Sequence, residues 1–213
     1  MEMRLKIAII DSIKEGYAMK KMIMSVLAVA TIMISGCAES SALIRASSTS
    51  IRTDIFEELA NGGSVPAGYA DLRVTSNLKT HRPGIYSAKD IHGTPDYQLL
   101  LNIDGQAVQL QGDLREENSE ARGLRDPEAG EGIRYRFSSH LRLKAGTHKI
   151  VIAVPADDLA VEREITLTEG SNTLVFEPTY RATSGKRRRG VYGVTSFKEG
   201  IRGFQIMLNG KPI

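Results

Sequence analysis

The chain has one cysteine, Cys37, no tryptophan and only 6% aromatic residues. A single thiol excludes a disulfide framework and any zinc site built from several cysteines. Without tryptophan, a core must rest on Leu, Ile, Val and the five Phe. No uncharged apolar run approaches the roughly 20 residues that a helical bilayer span needs. Charge of one sign is scarce as well. Lys and Arg total 28 against 25 Asp and Glu, and residues 1–37 hold five of the basic and three of the acidic ones. The remainder keeps 23 and 22, a net of +1, which argues against a domain that gathers nucleic acid by charge. What is present is ordinary for a folded protein: 213 residues, 41% apolar and 25% charged, enough for one domain with its own core.

Residues 1–36 are compositionally foreign to the rest. Six of the seven methionines precede Cys37. Lys20 and Lys21 lead into 13 uncharged residues, Met22 to Ile34, a length that suits the apolar region of a signal peptide. The run ends Ile34-Ser35-Gly36-Cys37. This resembles the lipobox of bacterial lipoproteins, an aliphatic residue and two small ones before the cysteine. The resemblance implies lipidation of Cys37, cleavage before it, and anchoring in membrane lipid through the acylated residue. Two or more chains are needed for stable anchoring. Ala38 lacks the Asp that favours inner-membrane retention, so an outer-membrane, periplasm-facing location is expected. Asp11 and Glu15 are unusual in an n-region; a start at Met19 is the simplest account, and a long n-region from Met1 is the alternative.

After Cys37 the stretch 37–52 is Ser-rich and reads as a tether. Asp54 and Glu57 have capping-box spacing, and Gly62-Gly63 gives a stop, so residues 53–69 are expected to hold a short helix and a linker. From residue 70 the apolar period becomes two. Leu72 and Val74 alternate, Tyr97 to Ile103 is followed by Asp104-Gly105, and Tyr135, Phe137, Leu141 and Leu143 share one parity. Ile150, Ile152 and Val154 follow the Ala145-Gly146 turn; Ile165 and Leu167 precede Glu169-Gly170; Leu174 and Phe176 follow it. Phe204, Ile206 and Leu208 run into Asn209-Gly210. Asp-Gly and Asn-Gly between such runs favour type I′ hairpins. About eight short strands with no long helix between them predict an antiparallel β-sandwich over residues 70–213, with a short N-terminal helix after the signal peptide.

Within that pattern, Leu141 to Ile152 and Glu162 to Phe176 resemble the second half of a PEGA-type repeat: strand, Ala-Gly turn, strand and final hairpin. The resemblance covers about 36 residues and implies an Ig-like sandwich and a non-catalytic envelope role. The Pro-Glu-Gly-Ala motif that names the family is absent, and Gly112 to Gly132 interrupts the pattern.

Motifs for chemistry are sparse. His81, His92, His140 and His148 show no close ligand spacing, so no metal or cofactor is expected unless distant residues converge. His140 is expected to face water and His148 to be a solvated strand start. Ser138 and His140 share a strand face, but no Gly-x-Ser-x-Gly elbow or phosphate loop occurs. Asp157 and Asp158 follow Pro155 and read as a turn; Glu162 and Glu164 read as the coat of a solvated sheet face. Asp113 to Glu131 carries seven acidic residues and three Arg and reads as a long loop. Lys186, Arg187, Arg188 and Arg189 lie between Gly185 and Gly190. That run fits a solvated loop, pairing with the acidic segment, or contact with an anionic surface.

The function expected is a membrane-anchored, non-catalytic envelope lipoprotein that binds or assembles with another envelope protein or polymer. Two alternatives stay open: a small-ligand or glycan binder using Tyr86, Tyr97, Tyr180 or Tyr192, and an enzyme whose site converges only in three dimensions.

Overall fold

Strand β5 (Gly130–Lys144) and strand β6 (Gly146–Val154) are separated by Ala145 alone, yet they are not neighbours. Strands β7 (Leu159–Leu167) and β8 (Gly170–Tyr180) are separated by two residues and are not neighbours either. A residue spans at most about 3.6 Å. Both links therefore require the sheet to curl until strands distant in its order meet at one end.

The computed structural model describes residues 40–60, 64–82, 89–119, 126, 128–181, 197 and 200–213. The remaining strands are β1 (Phe56–Glu58), β2 (Tyr69–Thr80), β3 (Leu99–Ile103), β4 (Gln106–Ser119), β9 (Ile201–Leu208) and β10 (Lys211–Pro212). They form one sheet in the order β10-β9-β8-β2-β5-β4-β3-β6-β7, with β1 alongside β5. All pairings are antiparallel except β2 with β8, which is parallel from Ala70↔Gly170 to Ser76↔Phe176. The protein is mainly β, as expected, but the sheet is a curled, mixed half-barrel rather than purely antiparallel. The Ala145-Gly146 and Glu169-Gly170 turns are crossings, not hairpins, and the second delivers β8 beside the start of β2 in the same direction.

The curl has two devices. Strand β4 changes partner midway: Gln106 to Leu110 pair with β3, and Gln111 to Ser119 pair with β5. Gly112 lies just past the switch, where a Cβ would sit 2.6 Å from Phe137 Cε1, so only glycine admits the Phe137 ring. At the β7–β8 crossing, Asn172 is 1% exposed. Its Nδ2 donates to the Thr168 carbonyl at 2.7 Å and more weakly to Gly170 O at 3.2 Å. Its Oδ1 accepts from Thr168 N and Oγ1 and from Asn209 Nδ2. Asn209 in turn accepts the Thr173 N–H, so the crossing is tied to the β9–β10 turn.

The two Asx-Gly hairpins form as expected. Asp104 and Gly105 have φ of 46° and 93°, and Asn209 and Gly210 have 51° and 77°, the positive pair a type I′ turn demands. The second continues into β10, where Lys211 and Pro212 blunt the sheet edge. Inside the curl, alternate residues of each strand form one apolar core, including Leu72, Val74, Leu101, Ile103, Phe137, Leu141, Ile152 and Phe176.

Three expectations change. The capping-box helix does not form: Asp54 pairs with Arg52 at 2.7 Å, and Phe56 enters the core in β1 opposite Leu143. Gln106 fixes this segment by accepting from Ile55 N and Phe56 N and donating to Phe56 O. Helix is found earlier, at residues 40–47. Within the Ser-rich stretch, that helix is held by Asn102 Nδ2 on Ala46 O, and Ile51 N donates to Gly105 O. From Ser40 on, the expected tether is thus docked on the domain. Finally, the described residues of the acidic segment 113–131 are mostly strand: β4 runs to Ser119 and β5 begins at Gly130.

The cause of that last change is a buried lysine. Lys79, on the outer face of β2, has no solvent exposure. Its ammonium donates all three protons: to Ser119 Oγ at 2.9 Å, Glu128 O at 2.9 Å and Gly130 O at 2.7 Å. Burial lowers its pKa from the ordinary value. Glu117 lies 3.7 Å away and accepts two bonds from Arg134, which also reaches Glu128. Arg82 pairs with Glu116 and Glu131. Four of the acids that read as a solvated loop, Glu116, Glu117, Glu128 and Glu131, are thus paired with cations on the face of the hairpin.

The Arg134 guanidinium, with Lys79 behind it, holds the Glu117 carboxyl at about 2 against an ordinary 4.5, despite the opposing effect of burial. A folded pKa below the unfolded one gives stability that is present above the unfolded value and lost as pH falls through the folded one. Urea unfolding is expected to show a loss between about pH 4.5 and pH 2 that is shallower in Glu117→Gln. Identical slopes would show that this pairing contributes nothing.

Candidate functional site

Curling brings the end of β2 against the end of β6, and described residues of the segment ahead of β3 pack between them. His81 follows Thr80, the last residue of β2. Asp90 and His92 lie in the joining segment, and Asp157 ends the 3-10 turn Pro155–Asp157 that follows β6. These four converge. Asp90 bridges two imidazoles, with Oδ2 2.7 Å from His81 Nε2 and Oδ1 2.6 Å from His92 Nδ1. The His92 backbone N–H also donates to Asp90 Oδ1, an Asx turn that holds the carboxylate in place. The other ring nitrogen, His92 Nε2, faces Asp157 Oδ2 at 3.6 Å. Tyr97 donates its hydroxyl to that same oxygen at 2.6 Å.

The segment is anchored through its rings and its backbone. His81 and His92 are 4.7 Å apart by ring centroids, His92 and Tyr97 5.3 Å, Tyr97 and Tyr135 4.9 Å, and Tyr135 and Phe137 5.6 Å. This file of five rings runs from the half-buried cluster into the core. Tyr135 donates to Thr94 O at 2.6 Å, and Thr94 Oγ1 donates to Ile91 O at 2.7 Å. The side chains are therefore held by packed neighbours and not by the loop alone.

Electrostatics follow from partial burial. Burial pushes the Asp90 carboxyl up, but hydrogen bonds from His81 and His92 outweigh it and hold the group at about 2. Asp157 likewise stays below its ordinary value, because His92 and Tyr97 outweigh desolvation. The Asp157 carboxylate, and then Asp90, raise the His92 imidazole. Burial, reinforced by the Asp157 charge, pushes the Tyr97 hydroxyl far up, so it is a fixed donor. His81, Asp90 and His92 each offer a ligand atom, all within 4.8 Å of one another. That donor set fits a single cation.

Spacing in sequence did not bring these residues together, because their convergence depends on the curl. The one local signal is Asp90-Ile-His92, an acid and an imidazole two apart. Asp157, read as a turn residue, is in a turn, but its carboxylate serves the cluster. His148 is only 10% exposed and is clamped between Asp104 Oδ2 at 2.7 Å and Lys144 O at 2.8 Å, where a solvated ring was expected. His140 is half-buried beside Asp71, at 3.7 Å. Asp71 belongs to Arg142, which bonds it through Nε and Nη2. Glu162 pairs with Lys149 on the sheet surface at 2.8 Å. A shallow cavity lined by Ser47, Ser50, Gln98 and Gln109 presents amides and hydroxyls and no titratable group. Cys37, Lys186, Arg187, Arg188, Arg189, Tyr86 and Tyr192 lie outside the described residues. No family model, curated protein or solved structure matches the chain.

Tyr97→Phe removes a buried donor from Asp157 while keeping the ring. A hydrogen bond to a charged group is worth about 1.5–3 kcal/mol, and the unfolding free energy is expected to fall by about that amount. A change no larger than that of Tyr69→Phe, at an exposed position, would show that the contact does not hold the site.

Proposed function

We propose that this chain is a lipid-anchored envelope protein whose β domain serves as a non-catalytic binding or assembly module. The observation that carries the reading is Lys20-Lys21, the 13-residue apolar run and Ile34-Ser35-Gly36-Cys37, the lipobox pattern around the only cysteine. Its support from the fold is positional. The compact unit begins at Ser40, three residues after the cleaved chain would start, so the proposed mature protein is almost wholly domain. No helix among the described residues is long and apolar enough to cross a membrane, and in this reading the attachment is the acyl chains on Cys37.

A PEGA-like sandwich is the finer proposal for the domain. Its support is limited to the strand breaks at Ala145-Gly146 and Glu169-Gly170, which fall where the resemblance puts its turns, although both are crossings and the final hairpin of the repeat is not formed. The outer membrane, facing the periplasm, is the proposed location, on the strength of Ala38. The partner is an envelope protein or polymer. Tyr97 is buried, and Tyr180 is partly buried against the core, its ring edge-on to Phe197 and its oxygen accepting the Lys79 N–H. Neither tyrosine therefore offers the exposed ring that glycan stacking needs.

Metabolic labelling with a fatty acid tests the anchor. The wild-type protein should carry label and sediment with membranes, and Cys37→Ala should carry none and accumulate as uncleaved precursor. A Cys37→Ala protein still labelled and processed would overturn the reading.

A further inference from the structure

Two imidazole nitrogens and one carboxylate oxygen converge at the mouth of the curl, all half-buried and each offering a ligand atom within 4.8 Å of the others. Hydrogen-bonded His–Asp pairs are common, but several features go beyond pairing. Asp90 contacts both rings through separate oxygens, 2.7 and 2.6 Å away, so one group bridges the other two. The three side chains come from two places in the chain, the end of β2 and the segment before β3, and are held by the ring file and by the Tyr135–Thr94 bond. An outer contact is also in place. Metal-bound histidines characteristically point their second ring nitrogen at a carboxylate, which orients the ring and strengthens the ligand. His92 has that arrangement: with Nδ1 toward the cluster, Nε2 faces Asp157 at 3.6 Å, and Asp157 is itself fixed by the Tyr97 hydroxyl at 2.6 Å.

We propose that His81 Nε2, His92 Nδ1 and an Asp90 carboxylate oxygen form a site for one divalent transition-metal ion of the zinc type, with Asp157 positioning His92. The ion takes the place of the protons that now join Asp90 to the two rings. Two nitrogens and one oxygen suit zinc, cobalt, nickel or copper; magnesium and calcium prefer all-oxygen sets. With three protein ligands, a tetrahedral ion keeps a fourth position for water or for a donor atom brought by a partner. Asp157 balances charge as well as geometry, since two carboxylates offset a dication beside two neutral imidazoles. The inference does not rest on lipidation, and it holds for the domain whatever its cellular address.

The test uses the full-length, untagged protein in detergent, stripped by chelator, and titrated with cobalt(II) while visible absorption is followed. One cobalt per chain should bind with the absorption of a four-coordinate ion, and zinc should displace it; calcium and magnesium should not. His81→Ala should abolish binding. This ring is about one-third exposed at a strand end, so the variant is expected to keep the circular dichroism of the wild type. His92→Ala should also abolish binding, but the ring packs on Tyr97, so His81→Ala is the deciding variant if His92→Ala fails to fold. Asp157→Asn should weaken cobalt about 10–100-fold, the range for outer-shell partners, and His148→Ala should bind as wild type. Absence of saturable cobalt or zinc binding by the wild type, or wild-type binding by folded His81→Ala, would overturn the proposal.

Discussion

Two links too short to go anywhere but straight across govern this molecule. One residue joins β5 to β6 and two join β7 to β8, although neither pair is adjacent in the sheet. Chain length then imposes what pairing alone does not: strands far apart in order must meet at one end. The partner change along β4 and the space that Gly112 leaves for Phe137 let the sheet bend without opening its hydrogen bonds. The buried Asn172 side chain then ties the crossing to the β9–β10 turn through Asn209 and has its own polar atoms satisfied.

The curl also places the cluster. His81 belongs to the β2–β5 side, Asp157 to the β3–β6 side, and Asp90 and His92 lie in the segment that passes between them. Were the sheet flat, the ends of β2 and β6 would be separated by β5, β4 and β3, at roughly 4.8 Å per strand. The ring file from His81 to Phe137 is the visible record of that closure, running from the cluster into shared core. Lys79 does for the β4–β5 hairpin what Asn172 does for the crossing. Its buried ammonium is tolerable because three oxygens accept its protons, and the acids around it are neutralised by Arg134 and Arg82.

Period-two alternation made the strands legible, and Asp104-Gly105 and Asn209-Gly210 made two hairpins legible, because both signals are local. The crossings were not legible. Ala145-Gly146 and Glu169-Gly170 have turn composition, and composition does not say whether the next strand pairs with the last one. The Asp54–Glu57 spacing misled for a similar reason: Phe56 gains more from burial opposite Leu143 than two helical turns offer. The acidic run from Asp113 read as loop because its counter-charges, Lys79, Arg82 and Arg134, come largely from other strands. The candidate site was hidden by the same distance, with His81 and Asp157 separated in sequence by nearly half the described domain. Only the Asp90-Ile-His92 pair was local, and by itself it is weak.

Asn172 is the place to test whether the crossing holds the architecture. Its amide serves the Thr168 and Gly170 carbonyls, the Thr168 N–H and Asn209, and Ala at this position would remove all of these bonds at a residue that is 1% exposed. Urea unfolding of Asn172→Ala against wild type measures the consequence directly. An account built on the crossing predicts a loss of about 1–3 kcal/mol, as expected for several hydrogen bonds of about 0.5–1.5 kcal/mol each. A change within about 0.5 kcal/mol, the range of surface substitutions, would contradict it.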